Sequence, residues 1–167
     1  MRKCYIFCIF VLLSANGFAQ FRLKDIKIDE RVTGFKFATY HSTGIKVYFP
    51  NGKSDLKSKL PVSTFSVGIK DGTTFDGAKD FLGNIINKEV FDGAIVSKKL
   101  VNDTTINGSH FYEITLIERY KQKESIVFKY YAFTMKENSS IFFLGFDFEG
   151  GINIKNYKET FRTLKIK

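Results

Sequence analysis

AIVSKKLVNDTTINGSHFYEITLIERYKQKESIVFKYYAFTMKENSSIFFLGFDF, residues 94–148, is almost entirely strand material. β-branched and aromatic residues dominate it, and turn signals interrupt it at Asn102-Asp103, Asn107-Gly108, Lys121-Gln122-Lys123 and Glu137-Asn138-Ser139. That spacing predicts an antiparallel meander. Its last run carries Ile141, Phe142, Phe143, Leu144, Phe146 and Phe148, apolar on both faces, so this strand is expected inside a sheet that is covered on each side.

Upstream, Phe75, Ala78, Leu82, Ile85 and Ile86 recur at helical spacing, with Asp76, Lys79, Asp80, Asn87 and Lys88 towards solvent. Thr73 or Thr74 supplies an N-cap, and Phe91-Asp92-Gly93 ends the helix. Gly77 and Gly83 each weaken such a helix by about 1 kcal/mol relative to Ala, which predicts close packing against the sheet at both. Phe65, Val67 and Ile69 alternate as a strand closed by Asp71-Gly72. Phe35-Lys36-Phe37 and Ile45, Val47 and Phe49 read as a strand pair turning at Ser42-Thr43-Gly44 and ending at Pro50-Asn51-Gly52, followed by a polar loop to Pro61. Residues 21–34 lack a period and read as a leader. Past Gly150-Gly151, a last helix is expected near Asn156, with Asn156 and Glu159 at capping-box spacing and Tyr157, Phe161 and Leu164 as its buried stripe. No repeat or linker divides the chain, so the reading is α+β: one domain with an antiparallel sheet flanked by helices.

The opening residues differ from the rest. Arg2 and Lys3 precede an apolar run from Cys4 to Leu13, then Ser14-Ala15-Asn16-Gly17-Phe18-Ala19. This is the pattern of a secretory signal peptide over residues 1–19, cut between Ala19 and Gln20, and the run is too short to span a membrane. Residues 20–34 then form the leader and 35–167 the folded domain. Cleavage removes both cysteines, Cys4 and Cys8, which excludes thiol catalysis and Cys-ligated zinc from the mature chain. A cysteine-free exported protein fits the bacterial envelope, periplasmic or secreted, with no transmembrane segment left.

The 167 residues carry 26 Lys+Arg against 17 Asp+Glu, and loss of Arg2 and Lys3 leaves 24 against 17, a net +7. The cations are scattered rather than striped, and the groupings Lys53/Lys57/Lys59 and Arg119/Lys121/Lys123 fall in or beside expected loops. Nucleic acid is therefore not the expected partner, whereas another envelope protein with an acidic surface, or anionic headgroups, would suit the charge.

Three local patterns resemble one family. Gly44-Ile45-Lys46-Val47-Tyr48-Phe49-Pro50 is similar to an early strand ending in proline in PsbP-like proteins. Thr105-Ile106-Asn107-Gly108 with Phe111-Tyr112-Glu113-Ile114 resembles that family's strand opened by an Ile-Asn-Gly turn, and Thr160-Phe161-Arg162-Thr163-Leu164-Lys165-Ile166 resembles its closing helix and tail. The pattern spans residues 35–167 and departs from the family in lacking any Trp. The resemblance implies the PsbP-like fold. That family includes extrinsic photosystem II subunits, Ran-binding import factors and many exported bacterial proteins, and its characterised members mostly bind other proteins. It carries no shared catalytic constellation onto this chain.

The chemistry legible in the sequence is sparse. His41 and His110 are the two histidines, without ligand spacing for a metal, and Asp71-Gly72-Thr73-Thr74-Phe75-Asp76-Gly77 lacks the alternating acids and terminal Glu of a calcium loop. No phosphate loop or nucleophile elbow is present, and no cofactor or metal is implied. Asp147 and Glu149 have period-2 spacing, which on a strand puts both carboxylates on one face as a hydrolytic pair requires. Asn102, Asn107 and Asn138 open glycosylation sequons that matter only in a glycosylating source. Tyr112, Tyr120, Tyr130 and Tyr131 fall on the meander beside Arg119 and Lys129, which makes these six residues the candidate recognition surface. The expected function is that of an exported, non-catalytic protein-binding or accessory module of the bacterial envelope. An immunity-type inhibitor of a secreted toxin and a weak hydrolase using Asp147/Glu149 are the alternatives.

Overall fold

The computed structural model describes residues 23–41, 44–50, 52, 62–90, 94–120 and 125–166. The expected signal peptide, the turn residues Ser42 and Thr43, most of the polar loop, Phe91-Asp92-Gly93 and the Lys121-Gln122-Lys123 turn lie outside them. The elements are β1 (Ile26–Lys27), α1 (Glu30–Thr33), β2 (Lys36–His41), β3 (Ile45–Phe49), β4 (Thr64–Asp71), α2 (Phe75–Val90), β5 (Ala94–Ile106), β6 (Ser109–Tyr120), β7 (Ser125–Lys136), β8 (Ser139–Asp147), α3 (Ile154–Arg162) and β9 (Lys165–Ile166).

Seven strands form one antiparallel sheet in the order β2-β3-β4-β8-β7-β6-β5. The doubly apolar run becomes β8, the fourth of the seven, as its composition predicts. The β5–β6 hairpin turns on Asn107 (φ 51°) and Gly108 (φ 78°), the paired positive dihedrals that match the twist of two antiparallel strands.

Side-chain alternation divides the core into two layers. On one face α2 lays Ala78, Leu82, Ile85 and Ile86 over Ile114, Leu116, Tyr131, Phe133, Phe142 and Leu144. On the other, Tyr157 and Phe161 of α3 meet Phe65, Phe111, Tyr130 and Phe143, with Ile26 and Phe35 of the N-terminal segment beside them. Tyr48, Phe65 and Phe143 stack across three neighbouring strands, with centroids 4.6 and 4.7 Å apart. Gly145 lies opposite Phe65 on β8. A Cβ there would sit 2.6 Å from the Tyr157 ring, so glycine is what lets the buried ring lie on the strand.

Several expectations are corrected. Asn102-Asp103 is not a turn, and β5 runs through it for 13 residues because both side chains find partners along the sheet. The leader is structured: β1 pairs with β9 as a separate two-stranded sheet, and α1 is capped by Asp29, whose carboxylate accepts the Arg31 N–H. On β3 Ile45 is buried as its alternation implies, but Val47 and Phe49 are only half-buried, and the opposite face buries Tyr48 and Lys46, whose Nζ donates to the Ile26 carbonyl at 2.7 Å. The last helix begins at Ile154 with Asn153 as N-cap residue, so Asn156 is inside it and no Asn156–Glu159 box forms. Thr74 does cap α2, accepting from the Gly77 N–H at 3.1 Å. A prospective Cβ at Gly77 would meet the Thr74 and Thr73 side chains rather than the sheet, and one at Gly83 meets nothing within 4 Å, so the close packing expected at both is absent.

Candidate functional site

The α3 helix covers β8 and the adjoining parts of β7 and β6, the N-terminal segment lies over β3 and β4, and among the described residues the β5 side of that face is left open. Register places three cross-strand rows there, the third running under α3 at its buried Tyr130 end: Ile95–Arg119–Ile126, Lys98–Ile117–Phe128 and Leu100–Thr115–Tyr130. Ile95, Leu100 and Ile126 are 46%, 51% and 43% exposed, and Ile152, just before α3, is 70% exposed. Phe128, half-buried, is held from one side by Gly151, where a Cβ would come within 2.8 Å of its ring. The surface is thus a shelf of aliphatic side chains with Arg119 and Lys98, both exposed, standing among them. A firm apolar patch carrying cations is a protein-contacting composition.

Of the six candidate residues, only Arg119 belongs to this shelf as an exposed group. Strand alternation splits the set between the two faces, and burial removes Lys129, Tyr130 and Tyr131 from any contact surface. Tyr130, on the α3 side, donates its OH to Glu113 Oε1 at 2.9 Å. Glu113 is 1% exposed and also takes Arg162 Nε at 2.7 Å, Arg162 Nη2 at 2.6 Å and Asn102 Nδ2 at 2.9 Å. Burial pushes the Glu113 carboxyl up, but the Arg162, Asn102 and Tyr130 hydrogen bonds outweigh it and hold the group below its ordinary value. Burial raises the Tyr130 phenol, and Glu113 adds to it, so that ring is a fixed neutral donor.

The α2 side holds the other four. Lys129 Nζ lies 2.7 Å from Glu118 Oε2 in a buried ion pair, and Tyr120 donates to the same oxygen at 3.0 Å. Burial first, then Glu118, pushes the half-buried Tyr120 phenol up to about 12. Glu118 Oε1 has no hydrogen-bond partner. Tyr131 packs edge-on against Phe146, and half-buried Tyr112 lies beneath Lys79 Nζ at 4.8 Å. Lys79 also bridges to Asp103 at 3.1 Å, while His110 contacts the other Asp103 oxygen and stacks on Phe75 at 4.2 Å. His41 ends β2, on the far side of the sheet from His110.

Asp147 and Glu149 do not face each other across a cleft. Asp147 is fully buried, and its two oxygens accept the N–H groups of Glu149 at 2.7 Å and Asn153 at 2.6 Å, while Asn153 Nδ2 donates to Glu149 at 2.9 Å. The pair braces the connection into α3, with the Asp147 oxygens committed to backbone, and this removes the reason for reading it as hydrolytic. Among the described residues no group of three or more His, Cys, Asp and Glu is placed to hold a metal, and no helix is long and apolar enough to cross a membrane.

No protein-family model and no curated sequence matches the chain. Solved structures do. Cyanobacterial PsbP from Synechocystis sp. PCC 6803 superposes with a TM-score of 0.52 at 13% identity, over 93% of this chain and 99% of that one. The fold is PsbP-like. At that identity the likeness speaks for architecture alone: a single α+β domain built on an antiparallel sheet. Saccharomyces cerevisiae Ran-binding protein Mog1p follows at 0.46 and 12%, over 80% of this chain and 86% of that one. A protein of unknown function from Pseudomonas aeruginosa, PA94, a putative regulator by its own description, gives 0.43 and 12%, over 80% and 97%. The aliphatic shelf was missed in the sequence because Ile95, Ile117 and Ile126 come from three strands. The cross-strand register that aligns them is set by turns and a bulge.

Proposed function

We propose that the chain is an exported, non-catalytic protein-binding or accessory module of the bacterial envelope, docking its partner on the open α3-side face of β5–β7. The observation that supports this most is the exposure of Ile95 and Ile126 on either side of Arg119 in one row, with Leu100 exposed two rows further along β5. Such a patch is unfavourably hydrated in the free protein, and a partner that covers it removes that cost. The excess of cations, with Arg119 and Lys98 on the shelf itself, favours an acidic rim on that partner. The amino-terminal pattern of residues 1–19 supports export.

The test is affinity capture from envelope extract at low and high salt, with wild type beside Ile126→Asp and Arg119→Glu. A specific partner should be enriched by wild type, lost with either variant, and weakened by salt through screening. Partners retained equally by both variants, or none recovered, would overturn the assignment of this face.

A further inference from the structure

Among the described residues the sheet has two unpaired edges, and they are not equivalent. The β2 edge is six residues long and carries a register shift at its centre, between Phe37 and Thr39. The β5 edge is 13 residues long, and its one irregularity lies between Val96 and Lys98, so Lys98–Ile106 is a straight, proline-free run. A long regular edge is a template for another strand unless something blocks it.

Backbone parity says which residues do the templating. Ile106 and Ser109 close a two-residue turn and so exchange both hydrogen bonds, which commits residues 98, 100, 102, 104 and 106 to β6. The N–H and C=O groups of Lys99, Val101, Asp103 and Thr105 point outward. At the middle of this row Leu100 and Val101 stand on opposite faces, each 51% exposed, so neither α2 nor α3 reaches over the edge there. Charge is the second observation. Lys99 precedes Val101 by two residues and Asp103 follows it by two, both on the α2 side, so the run is self-complementary about Val101. Lys79 and His110 hold the Asp103 carboxylate on that side, and its side chain remains 40% exposed.

We infer that β5 pairs antiparallel with β5 of a second copy of this chain, about a two-fold axis through Val101, giving a continuous sheet of fourteen strands, twice the seven of one copy. In this register Val101 faces Val101 as a hydrogen-bonded pair and each Lys99 faces the other copy's Asp103. On the α3 side each Leu100 lies diagonal to its counterpart. Moving the axis by one residue puts Leu100 opposite Leu100 but leaves each Lys99 against Val101. Moving it by two residues sets Lys99 against Lys99 or Asp103 against Asp103, which repels. The charge pattern therefore selects one register.

Sedimentation velocity of the full chain across a concentration series tests this, with Lys99→Asp, Asp103→Lys and the double exchange. The expected result is a dimer whose Kd rises at least about tenfold in either single variant and returns towards wild type in the double exchange. Because Asp103→Lys also loses Lys79 and His110, circular dichroism of each variant is recorded, and Lys99→Asp, an exposed position, carries the test should Asp103→Lys misfold. Register is read independently in a chain with Cys4→Ser and Cys8→Ser. Val101→Cys should oxidise to a symmetric disulfide, since the Cα spacing of about 5.5 Å for a hydrogen-bonded pair suits one, and Leu100→Cys should not. A monomer at every concentration, a dimer indifferent to Lys99→Asp, or preferential cross-linking at Leu100→Cys overturns the inference. Ile126→Asp, which tests the docking face, should leave this dimer intact.

Discussion

Replacing Arg162 by leucine removes the cation that faces Glu113 while leaving that carboxylate buried. In the native protein Glu113 is 1% exposed and receives four hydrogen bonds, two of them from the guanidinium. Without Arg162 only Asn102 and Tyr130 remain, and a buried charge stripped of its counter-ion costs about 3–5 kcal/mol. The Arg162 side chain is 33% exposed, so water already screens part of the pair and the lower end, about 3 kcal/mol, is expected. With a urea m-value of about 2 kcal/mol/M, the unfolding midpoint should fall by about 1.5 M at neutral pH. Proton linkage supplies the decisive readout. The folded-state pKa of Glu113 is lowered in wild type, so its contribution is present above the unfolded value and is lost as pH falls through the folded one. In the variant, burial is no longer outweighed and the folded pKa moves above the unfolded one. Its penalty is then full at neutral pH and relieved on acidification, when the carboxyl takes up a proton. The gap between the two proteins should therefore narrow markedly towards about pH 4. A gap under about 1 kcal/mol at neutral pH, or one that does not change with pH, would refute the reasoning.

Gly145→Ala should destabilise by about 1–3 kcal/mol in urea unfolding, because its methyl must displace the Tyr157 ring or its hydrogen bond to the Phe146 carbonyl at 3.0 Å. Gly83→Ala should act oppositely and raise stability by about 0.5–1 kcal/mol, since the site is helical and open, and a melting temperature unchanged or lowered would contradict that. Intact-mass analysis of protein recovered from the envelope should give a chain beginning at Gln20, and a pool retaining Met1 would contradict cleavage after Ala19.

Sequence periodicity carried the architecture wherever local pattern and tertiary burial agree. The α2 stripe at Ala78, Leu82, Ile85 and Ile86 and the doubly apolar β8 are buried as their spacing implies. It failed where a distant partner decides. Asn102 and Asp103 look like a turn until Glu113 and Lys79 occupy their side chains. Ile26–Lys27 has no strand signal of its own and pairs only because Lys165–Ile166 arrives beside it. The tyrosines illustrate the same limit at the candidate site. Consecutive Tyr130 and Tyr131 must point to opposite faces, and whether either meets solvent depends on helices attached elsewhere in the chain. Only Arg119 of that group is open, and the aliphatic neighbours that give it meaning come from other strands.

The clasp between β1 and β9 also orders events in time. It joins the two ends of the described chain, with Lys46 fastening the nearer strand from inside. The β5–β8 meander needs only short-range closures and can assemble as soon as its own residues are free. The β1 strand, however, has no strand partner until Lys165–Ile166 has been made. The clasp is thus a closure of long sequence separation, the kind that forms late, and Ile26–Lys27 wait for it while the meander is already paired.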